Sequence, residues 1–312
     1  MIREFAIEPE VMATWQHFRE LWDDFGASHG RLICEYPSDW REKVCRKAYE
    51  ISSTKAASIA ARLKPPPGQT IARKWIPTGR QFDKVKDWLT NAERHEPPEA
   101  FAAVIATRNP REKTRVLVAG EFAKDRPPWL APSQLEIPRT TAALLGCAGL
   151  LVSASDELVL VEPNFKAELD RFRDPFSALV NHRPGGRPWR RCELHVECPT
   201  DAAGAVDTGT LGNRAYGMRY HLAPLIPAGT KLQVFFWRRR PGGKRLHPRF
   251  ILTELGGLQP DYGLDQGDAA TDTTIVSLMA EDVWQTARAD YCSASQSFDG
   301  GTGCTAEIEG EA

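Results

Sequence analysis

Apolar side chains in the first sixty residues recur at the spacing of a helix. Six of them lie between Pro9 and Gly26, at intervals of mostly three or four residues: Val11, Trp15, Phe18, Leu21, Trp22 and Phe25. The first turn of a helix tolerates proline and a glycine commonly ends one, so this stretch predicts a helix. Residues 40–63 have the same character and are followed by three prolines and a glycine at 65–68, which cannot continue a helix. The N-terminal region is therefore predicted to be mainly helical.

Two short apolar runs further along predict a β-hairpin. Residues 101–106 and 115–119 are rich in valine, isoleucine and alanine, and they flank the turn-forming pair Asn109-Pro110. The proline-rich stretch 125–132 then favours a domain boundary. We expect a first region over residues 1–130.

Beyond residue 130, segments typical of strands and of helices alternate. Runs of strand length that are continuously apolar or alternate with polar residues cover 158–161, 192–196, 231–240 and 247–254. Helical runs cover 138–153, 165–179, with a break expected at Pro175, and 214–225. The turn Pro241-Gly242-Gly243 is expected to join the last two strands. This alternation predicts an α/β domain over residues 131–299 with a mixed sheet between helices, followed by an acidic flexible tail over 300–312.

The nearly neutral total charge conceals an asymmetry along the chain. Forty basic residues stand against 41 acidic ones, a balance that argues against nucleic-acid binding. From Glu254 onward, however, there are twelve acidic residues and one basic residue, Arg288. The first 253 residues therefore carry an excess of ten basic residues. An acidic C-terminal segment of this kind could cover a basic surface elsewhere on the molecule.

Composition limits the class of protein and its compartment. Apolar residues at 42% and charged residues at 26% are typical of a globular chain of 312 residues. Seven scattered cysteines without paired spacing predict free thiols in the cytoplasm and no structural zinc site. The longest apolar stretch, 142–154, is shorter than the roughly 20 residues that span a membrane. Dinucleotide, phosphate-loop and zinc-protease motifs do not occur, so we expect no cofactor, no metal and no membrane association.

The strongest candidate chemistry lies in residues 237–254. His247 and Arg249 would project from the same face of a strand, where a guanidinium could hold phosphate oxygens while a neutral imidazole attacks phosphorus. Glu254 could orient that imidazole. Further basic residues of the stretch would attract the backbone of a nucleic acid: Arg238, Arg239, Arg240, Lys244 and Arg245. His195 and His221 lie in apolar surroundings, which is typical of core or interface histidines.

The same stretch resembles the His-x-Lys-x4-Asp motif of the phospholipase D superfamily, in the form His247-x-Arg249-x4-Glu254. A glycine-rich segment follows at 256–267, and residues 159–165 are similar to a strand end of single-motif members of this superfamily. Among these, the branch related to the C-terminal domain of MIT-domain midbody proteins is most similar, and its bacterial relatives are often associated with defence against phage. The resemblance covers residues 135–292. It implies a phospholipase-D-like fold and a metal-independent reaction in which His247 is the nucleophile, Arg249 holds the phosphate and Glu254 supports the histidine.

Departures from the family pattern leave two functions open. Arginine replaces lysine and glutamate replaces aspartate, and arginine keeps the charge of lysine without its shape. The family site combines two motif copies, so an active form of this chain would need a homodimer that brings two His247 rings together. The first reading is a nuclease that acts on nucleic-acid phosphodiesters in a bacterial anti-phage or DNA-processing system. The alternative is a catalytically degenerate adaptor subunit of a multi-protein defence complex.

Overall fold

The computed structural model divides into two compact units, Ile2–Pro132 and Ser133–Ala312, the second together with Met1. It describes residues 1–64, 73–95, 97, 100–125, 127–269, 271–292, 297–299 and 305–311. Each unit contains its own sheet. Every helix in the described part of the chain is too short or too polar to cross a membrane.

The first unit is built on a parallel sheet of five strands. The strands are β1 Arg3–Ile7, β2 Arg31–Glu35, β3 Trp75–Pro77, β4 Ala103–Ala106 and β5 Val116–Val118. Their spatial order is β3-β2-β1-β4-β5, and every neighbouring pair is parallel. The helices are α1 Pro9–Ala13, α2 Trp15–Trp22, α3 Trp40–Ile51, α4 Ser53–Leu63 and α5 Trp88–Glu93. The unit is therefore an α/β unit and not a mainly helical one.

Both faces of this sheet are buried. Phe5 and Ile7 of β1 pack into one core with apolar residues of α1 to α4, while Ala6 between them packs into a second core with Leu89 of α5. Alternate residues of a strand point to opposite faces, so a strand with two covered faces is a short continuous apolar run. Such short apolar runs between charged residues do not stand out in the sequence, so the hydrophobic pattern does not predict β1, β2 or β3.

The predicted hairpin in this unit is wrong. Its two apolar runs do form neighbouring strands, but β4 and β5 run parallel, with Val104 opposite Val116. The intervening loop returns the chain to the amino end of the sheet before β5 begins. The predicted turn at 65–68 lies outside the described residues, and the helical stretch before it is two helices, because Ser52 caps α4 by accepting a hydrogen bond from the Lys55 amide.

The second unit contains a mixed sheet with helices on both faces, which confirms the predicted α/β class. Its strands are β6 Gln134–Pro138, β7 Glu157–Val161, β8 Arg191–Glu197, β9 Lys231–Arg239, β10 Phe250–Leu252, β11 Gly257–Pro260, β12 Thr273–Leu278, β13 Phe298–Asp299 and β14 Thr305–Glu309. The order is β13-β9-β8-β7-β10-β11-β12-β6, and β14 also pairs with β9. Strands β7, β8 and β9 are parallel and the other pairs are antiparallel. The helices are α6 Thr141–Ser153, α7 Asp170–Val180, α8 Thr208–Leu222 and α9 Glu281–Tyr291.

The glycine turn at 241–243 does not join two paired strands as predicted. Strand β9 pairs with β8, β13 and β14, whereas β10 pairs with β7 and β11. Because β8 and β7 lie between β9 and β10 in the sheet, residues 240–249 form a loop that crosses the ends of those two strands. We call residues 238–249 the basic loop.

Two further expectations for this unit are corrected by the hydrogen bonding. Pro175 lies inside α7 without breaking it, because the Arg171 carbonyl that loses its helical partner accepts a hydrogen bond from the Gln266 amide instead. The tail predicted to be flexible contains strand β14, which pairs along β9 from Thr305 opposite Phe235 to Glu309 opposite Lys231. Alternation of apolar and acidic residues in this strand buries Ile308 and leaves Glu307 and Glu309 at the surface.

Candidate functional site

Most of the predicted site residues lie at one edge of the second sheet. The parallel strands β7, β8 and β9 all end there, the antiparallel β10 begins there, and β11 ends there. We call this edge, formed by residues 162–168, 197–200, 261–265 and the basic loop, the carboxyl edge. In open α/β sheets, ligands bind outside the carboxyl ends of the strands.

A buried ion pair stands at the centre of this edge. Glu162 directly follows β7 and is 1% exposed, and its Oε1 lies 3.5 Å from Nε of Arg249. Its Oε2 accepts a hydrogen bond of 3.1 Å from the Leu264 amide, and Arg249 donates one of 3.1 Å to the Asp261 carbonyl. Burial raises the pKa of the Glu162 carboxyl group. The contacts of Arg249 therefore tie three segments of the edge together.

The arrangement of Glu162 and Arg249 requires a glycine at position 263, in the glycine-rich segment that follows the motif. The φ of Gly263 is +62°, in the left-handed region, and a Cβ atom there would lie 1.7 Å from Oε2 of Glu162 and 2.7 Å from Cδ of Arg249. Only glycine allows both this backbone conformation and this close approach. The glycine-rich segment after the motif thus serves to close the turn over the ion pair.

His247 does not lie on a strand, contrary to the prediction. Strand β10 begins at Phe250, so His247 and Arg249 are both in the basic loop. The His247 side chain is exposed and makes no hydrogen bond or ion pair with the described part of the chain. The residue is accessible to a ligand, but nothing described in the chain orients its ring.

Glu254 is separated from the other two residues of the motif. Its carboxylate oxygens accept hydrogen bonds from the backbone amides of Asp156, at 2.8 Å, and Glu157, at 3.1 Å. These amides begin β7, whereas Arg249 contacts Glu162 at the end of β7. Five residues of extended chain span roughly 16 Å, at about 3.3 Å per residue. The structure therefore does not bring Glu254 to His247 within one chain, and the orienting role expected of Glu254 is not supported.

The acidic C-terminal segment contacts the basic loop. Arg238 forms an ion pair with Asp299 of β13, and Nζ of Lys244 lies 2.8 Å from a carboxylate oxygen of Asp290 in α9. Both acidic residues belong to the segment after position 253, in which acidic residues greatly outnumber basic ones. The opposite charges found in the sequence thus meet at the carboxyl edge, and they neutralise part of the predicted nucleic-acid surface.

The remaining cations of the loop differ in how far they are engaged. Nε of Arg239 donates to the Gly243 carbonyl at 2.9 Å, and Nε of Arg240 donates to the Phe298 carbonyl at 2.9 Å. These bonds fix the shape of the loop but leave both guanidinium charges without a carboxylate partner in the described residues. Arg245 is exposed and makes no hydrogen bond or ion pair with the described part of the chain. It is the cation of the loop that is most available to an external anion.

A cavity of about 790 Å³, which no local sequence pattern indicates, lies at the same edge. Its walls come from the segments that follow β7 and β8 and from one face of α8, and its polar lining comprises Asn164, Lys166, Glu168, Glu197, Thr200, Thr210, Asn213, Arg214 and His221. Arg214 joins two of these walls by donating to the carbonyls of Glu197, at 2.9 Å, and Phe165, at 3.3 Å. The lining residues come from three separate stretches of the chain, so only the parallel pairing of β7 and β8 brings them together.

His195 has the core role that its apolar surroundings predicted. It is fully buried on β8, its Nε2 lies 3.1 Å from a carboxylate oxygen of Glu193, and its Nδ1 accepts a hydrogen bond of 2.7 Å from the Trp237 indole. Burial lowers the pKa of the His195 imidazole, which favours the neutral ring with its proton on Nε2. His221 differs, because it lines the cavity and is partly exposed.

Metal ligands do not gather anywhere in the described ranges, where no three His, Cys, Asp or Glu side chains are placed to hold an ion. Neither a known protein family nor a curated protein matches the sequence. Among solved structures, the chain is similar to TrmBL2, described as an archaeal chromatin protein that shows a novel mode of DNA binding. The identity is 8% and the TM-score 0.25, and the similarity covers 51% of this chain and 50% of that one, so the chain spans about half of TrmBL2. At these values the similarity assigns neither a fold nor a function.

Proposed function

We propose that the second unit binds nucleic-acid phosphodiesters at its carboxyl edge and does not hydrolyse them as a single chain. The observation that carries this proposal is the position of Glu254, whose carboxylate is bound to the start of β7 while His247 and Arg249 lie at its end. A histidine nucleophile needs a partner that fixes its ring, and misplacement by about 1 Å can cost about 100-fold in rate. A separation of about the length of β7 removes that partner.

The charges of the edge support binding of a polyanion. The exposed cation Arg245 lies in the basic loop, and Arg239 and Arg240 of the same loop have no carboxylate partner among the described residues. Lys244 and Arg238 would exchange the carboxylates of Asp290 and Asp299 for phosphate oxygens. Contacts of this kind give an affinity that falls steeply with salt. Such a binding subunit fits the alternative that the departures from the family motif leave open, a catalytically degenerate adaptor subunit of a multi-protein defence complex.

A metal-independent nuclease is the second candidate. The observation that favours the nuclease is the exposure of His247, two residues before Arg249 and its ion pair with Glu162. Because the His247 ring is exposed, it is accessible to His247 of a second chain. In that form two copies of His247 would share the reaction across a twofold axis. This candidate requires a homodimer, whereas the binding role does not.

Incubation with single- and double-stranded DNA and RNA in the presence of a chelator separates the two candidates. For the binding role we expect no cutting by the wild-type protein or by His247→Ala, and an affinity that both retain. Metal-independent cutting that His247→Ala abolishes would establish the nuclease instead. The absence of any salt-dependent binding would contradict both candidates.

Single substitutions test where on the protein surface the nucleic acid binds. Arg245→Ala should reduce the slope of log affinity against log salt by about one, as expected for the loss of one phosphate contact. Lys231→Ala is the matched control, because Lys231 is an exposed cation at the opposite end of β9. An equal loss of affinity in the two variants would show that binding is not confined to the carboxyl edge.

A further inference from the structure

Helix α8 exposes two aromatic rings to solvent. Tyr216 is 70% exposed and Tyr220 is 69% exposed, although the same helix buries Leu211, Met218 and Leu222. The two tyrosine rings are nearly parallel, at 13°, with centroids 6.5 Å apart. Residues four apart lie above one another on a helix, so the rings form one continuous aromatic surface.

This aromatic surface lies beside the face of α8 that lines the cavity. On α8 the cavity is lined by residues that include Asn213, Gly217 and His221, which recur every four residues along one face. Tyr216 and Tyr220 each precede one of these positions and lie on the side of that face away from the buried core. The rings therefore lie beside the cavity-lining face of α8, and the centroids of the Tyr220 and His221 rings are 5.0 Å apart.

The charges within the cavity suit a neutral polar group better than a phosphate. Lys166 and Arg214 are balanced by Glu168 and Glu197, and amide side chains add both donors and acceptors. A nucleobase is neutral and presents donors and acceptors along its edge, and carboxylate and amide side chains pair with such edges. The cations that a phosphate backbone needs lie in the basic loop of the same edge.

We propose that the cavity and α8 bind single-stranded nucleic acid, with one unpaired base in the cavity and neighbouring bases stacked on Tyr216 and Tyr220. This inference rests on the proposed nucleic-acid binding and narrows it to a substrate class. A duplex hides the faces of its bases, whereas a single strand offers them to aromatic side chains. The phosphates of the same strand then reach the basic loop.

Replacement of the rings tests the stacking directly. Affinity is measured by fluorescence anisotropy for a labelled single strand, the matching duplex, and an abasic strand of the same length. Tyr216→Ala and Tyr220→Ala should each weaken single-strand binding about tenfold, because a stacked base typically contributes about that much. Phenylalanine at either position should restore it. Tyr49→Ala is the matched control, since Tyr49 is an exposed tyrosine on helix α3 of the first unit.

Filling the cavity tests the inserted base. A Cβ atom added at Gly217 of α8 or at Gly146 of α6 meets no atom within 4 Å, so both positions have room for a side chain. Gly217 lines the cavity and Gly146 does not. Gly217→Leu should therefore weaken single-strand binding at least tenfold, whereas Gly146→Leu should leave it unchanged.

The outcomes separate the inference from the proposal beneath it. Equal affinity for the single strand and the abasic strand, with no effect of Tyr216→Ala, Tyr220→Ala or Gly217→Leu, would overturn the inference and leave phosphate binding intact. Loss of all salt-dependent binding by the wild-type protein would overturn both. A change in the mass of the protein in solution on Tyr216→Ala, without a change in oligonucleotide affinity, would assign the rings to a protein interface and overturn the inference.

Discussion

The residues that follow the carboxyl ends of the strands make different contacts in the two sheets. In the first unit, Glu8 follows β1 and its Oε2 accepts hydrogen bonds from both the amide, at 2.7 Å, and the hydroxyl, at 2.8 Å, of Thr107, which follows β4. In the second unit, Glu162 follows β7 and binds a neighbouring loop through Arg249 and Leu264, while the side of β7 towards β8 opens into the cavity. One strand-end carboxylate closes the edge and the other leaves it open.

The comparison shows that strand order alone does not locate a binding site. The order β3-β2-β1-β4-β5 reverses its direction between β1 and β4, the place where open α/β sheets commonly bind ligands. That place is occupied by the hydrogen bonds between Glu8 and Thr107. A cavity of about 250 Å³ in the first unit lies instead at the amino edge, next to Phe101 and Val116. The edge of a sheet can receive a ligand only if the first polar residue after each strand leaves space there. The contacts of that residue are therefore what decides.

The largest expected effect on stability comes from removing Arg249, which pairs with Glu162 at the open edge of the second sheet. Arg249→Ala leaves the carboxylate of Glu162 buried without its cation, and an unpaired buried charge costs about 3 kcal/mol in the free energy of unfolding. Arg245→Ala, an exposed arginine of the same loop, should change that free energy by less than about 0.5 kcal/mol. Urea denaturation of both variants measures the difference. Equal stability of the two variants would show that the ion pair does not hold the edge together.

The glycine turn over this ion pair should respond next. Gly263→Ala combines a left-handed backbone with a clash against Glu162, and we expect a loss of about 2 kcal/mol or more. Gly242 has a similar φ of +70° but open space around its Cβ, so Gly242→Ala carries only the backbone cost of about 1 kcal/mol. Thermal unfolding of the two variants separates close approach from backbone strain. A larger loss at Gly242 would contradict the described turn.

Opening the closed edge should have a smaller effect. Glu8→Ala removes the acceptor of the Thr107 amide and hydroxyl, a loss of about 1 kcal/mol for partly exposed hydrogen bonds. Nucleic-acid affinity should not change, because the proposed site belongs to the second unit. A variant with weakened oligonucleotide binding would place part of the site at the edge that we describe as closed.

The smallest effect is a dependence of stability on pH. Because burial raises the pKa of Glu162 in the folded chain, its contribution to stability is complete below the ordinary carboxyl pKa and is lost as the pH rises through the raised value. Glutamine does not titrate, so the stability advantage of the wild type over Glu162→Gln should shrink as the pH rises from about 4 towards neutral. Denaturation curves of both proteins across that range give the trend. An advantage that grows with pH would show that the pKa is lowered instead.

The sequence predicts those parts of the fold that leave a local pattern. The apolar run before Glu162 predicted β7, and the alternation around Leu194 predicted β8. Pairing is not local, however, and the two runs that flank Asn109 suit a hairpin as well as the parallel pair that forms. A short strand such as β1 is identified by the strands with which it pairs. The two partners of β1 lie 28 and about 100 residues further along the chain, so a local pattern does not reveal them.

The candidate site was predictable only in part, for the same reason. The excess of cations in the basic loop is visible in the sequence, and so is the acidic segment that neutralises it. The spacing between His247 and Glu254 is short in sequence, but an extended chain places them at opposite edges of the sheet. Cavity residues such as Lys166 and Arg214 are distant in sequence and meet only through the pairing of β7 with β8.

Photocrosslinking tests most directly whether the carboxyl edge of the second sheet is a nucleic-acid site. A single strand that carries 5-iodouridine is bound to the wild-type protein at low salt, irradiated, and the adducts are located by mass spectrometry. We expect adducts on Tyr216 or Tyr220 and on residues 163–168, all at this edge or on the helix beside it. Adducts confined to the first unit, or to the opposite edge around Arg190 and Lys231, would contradict it.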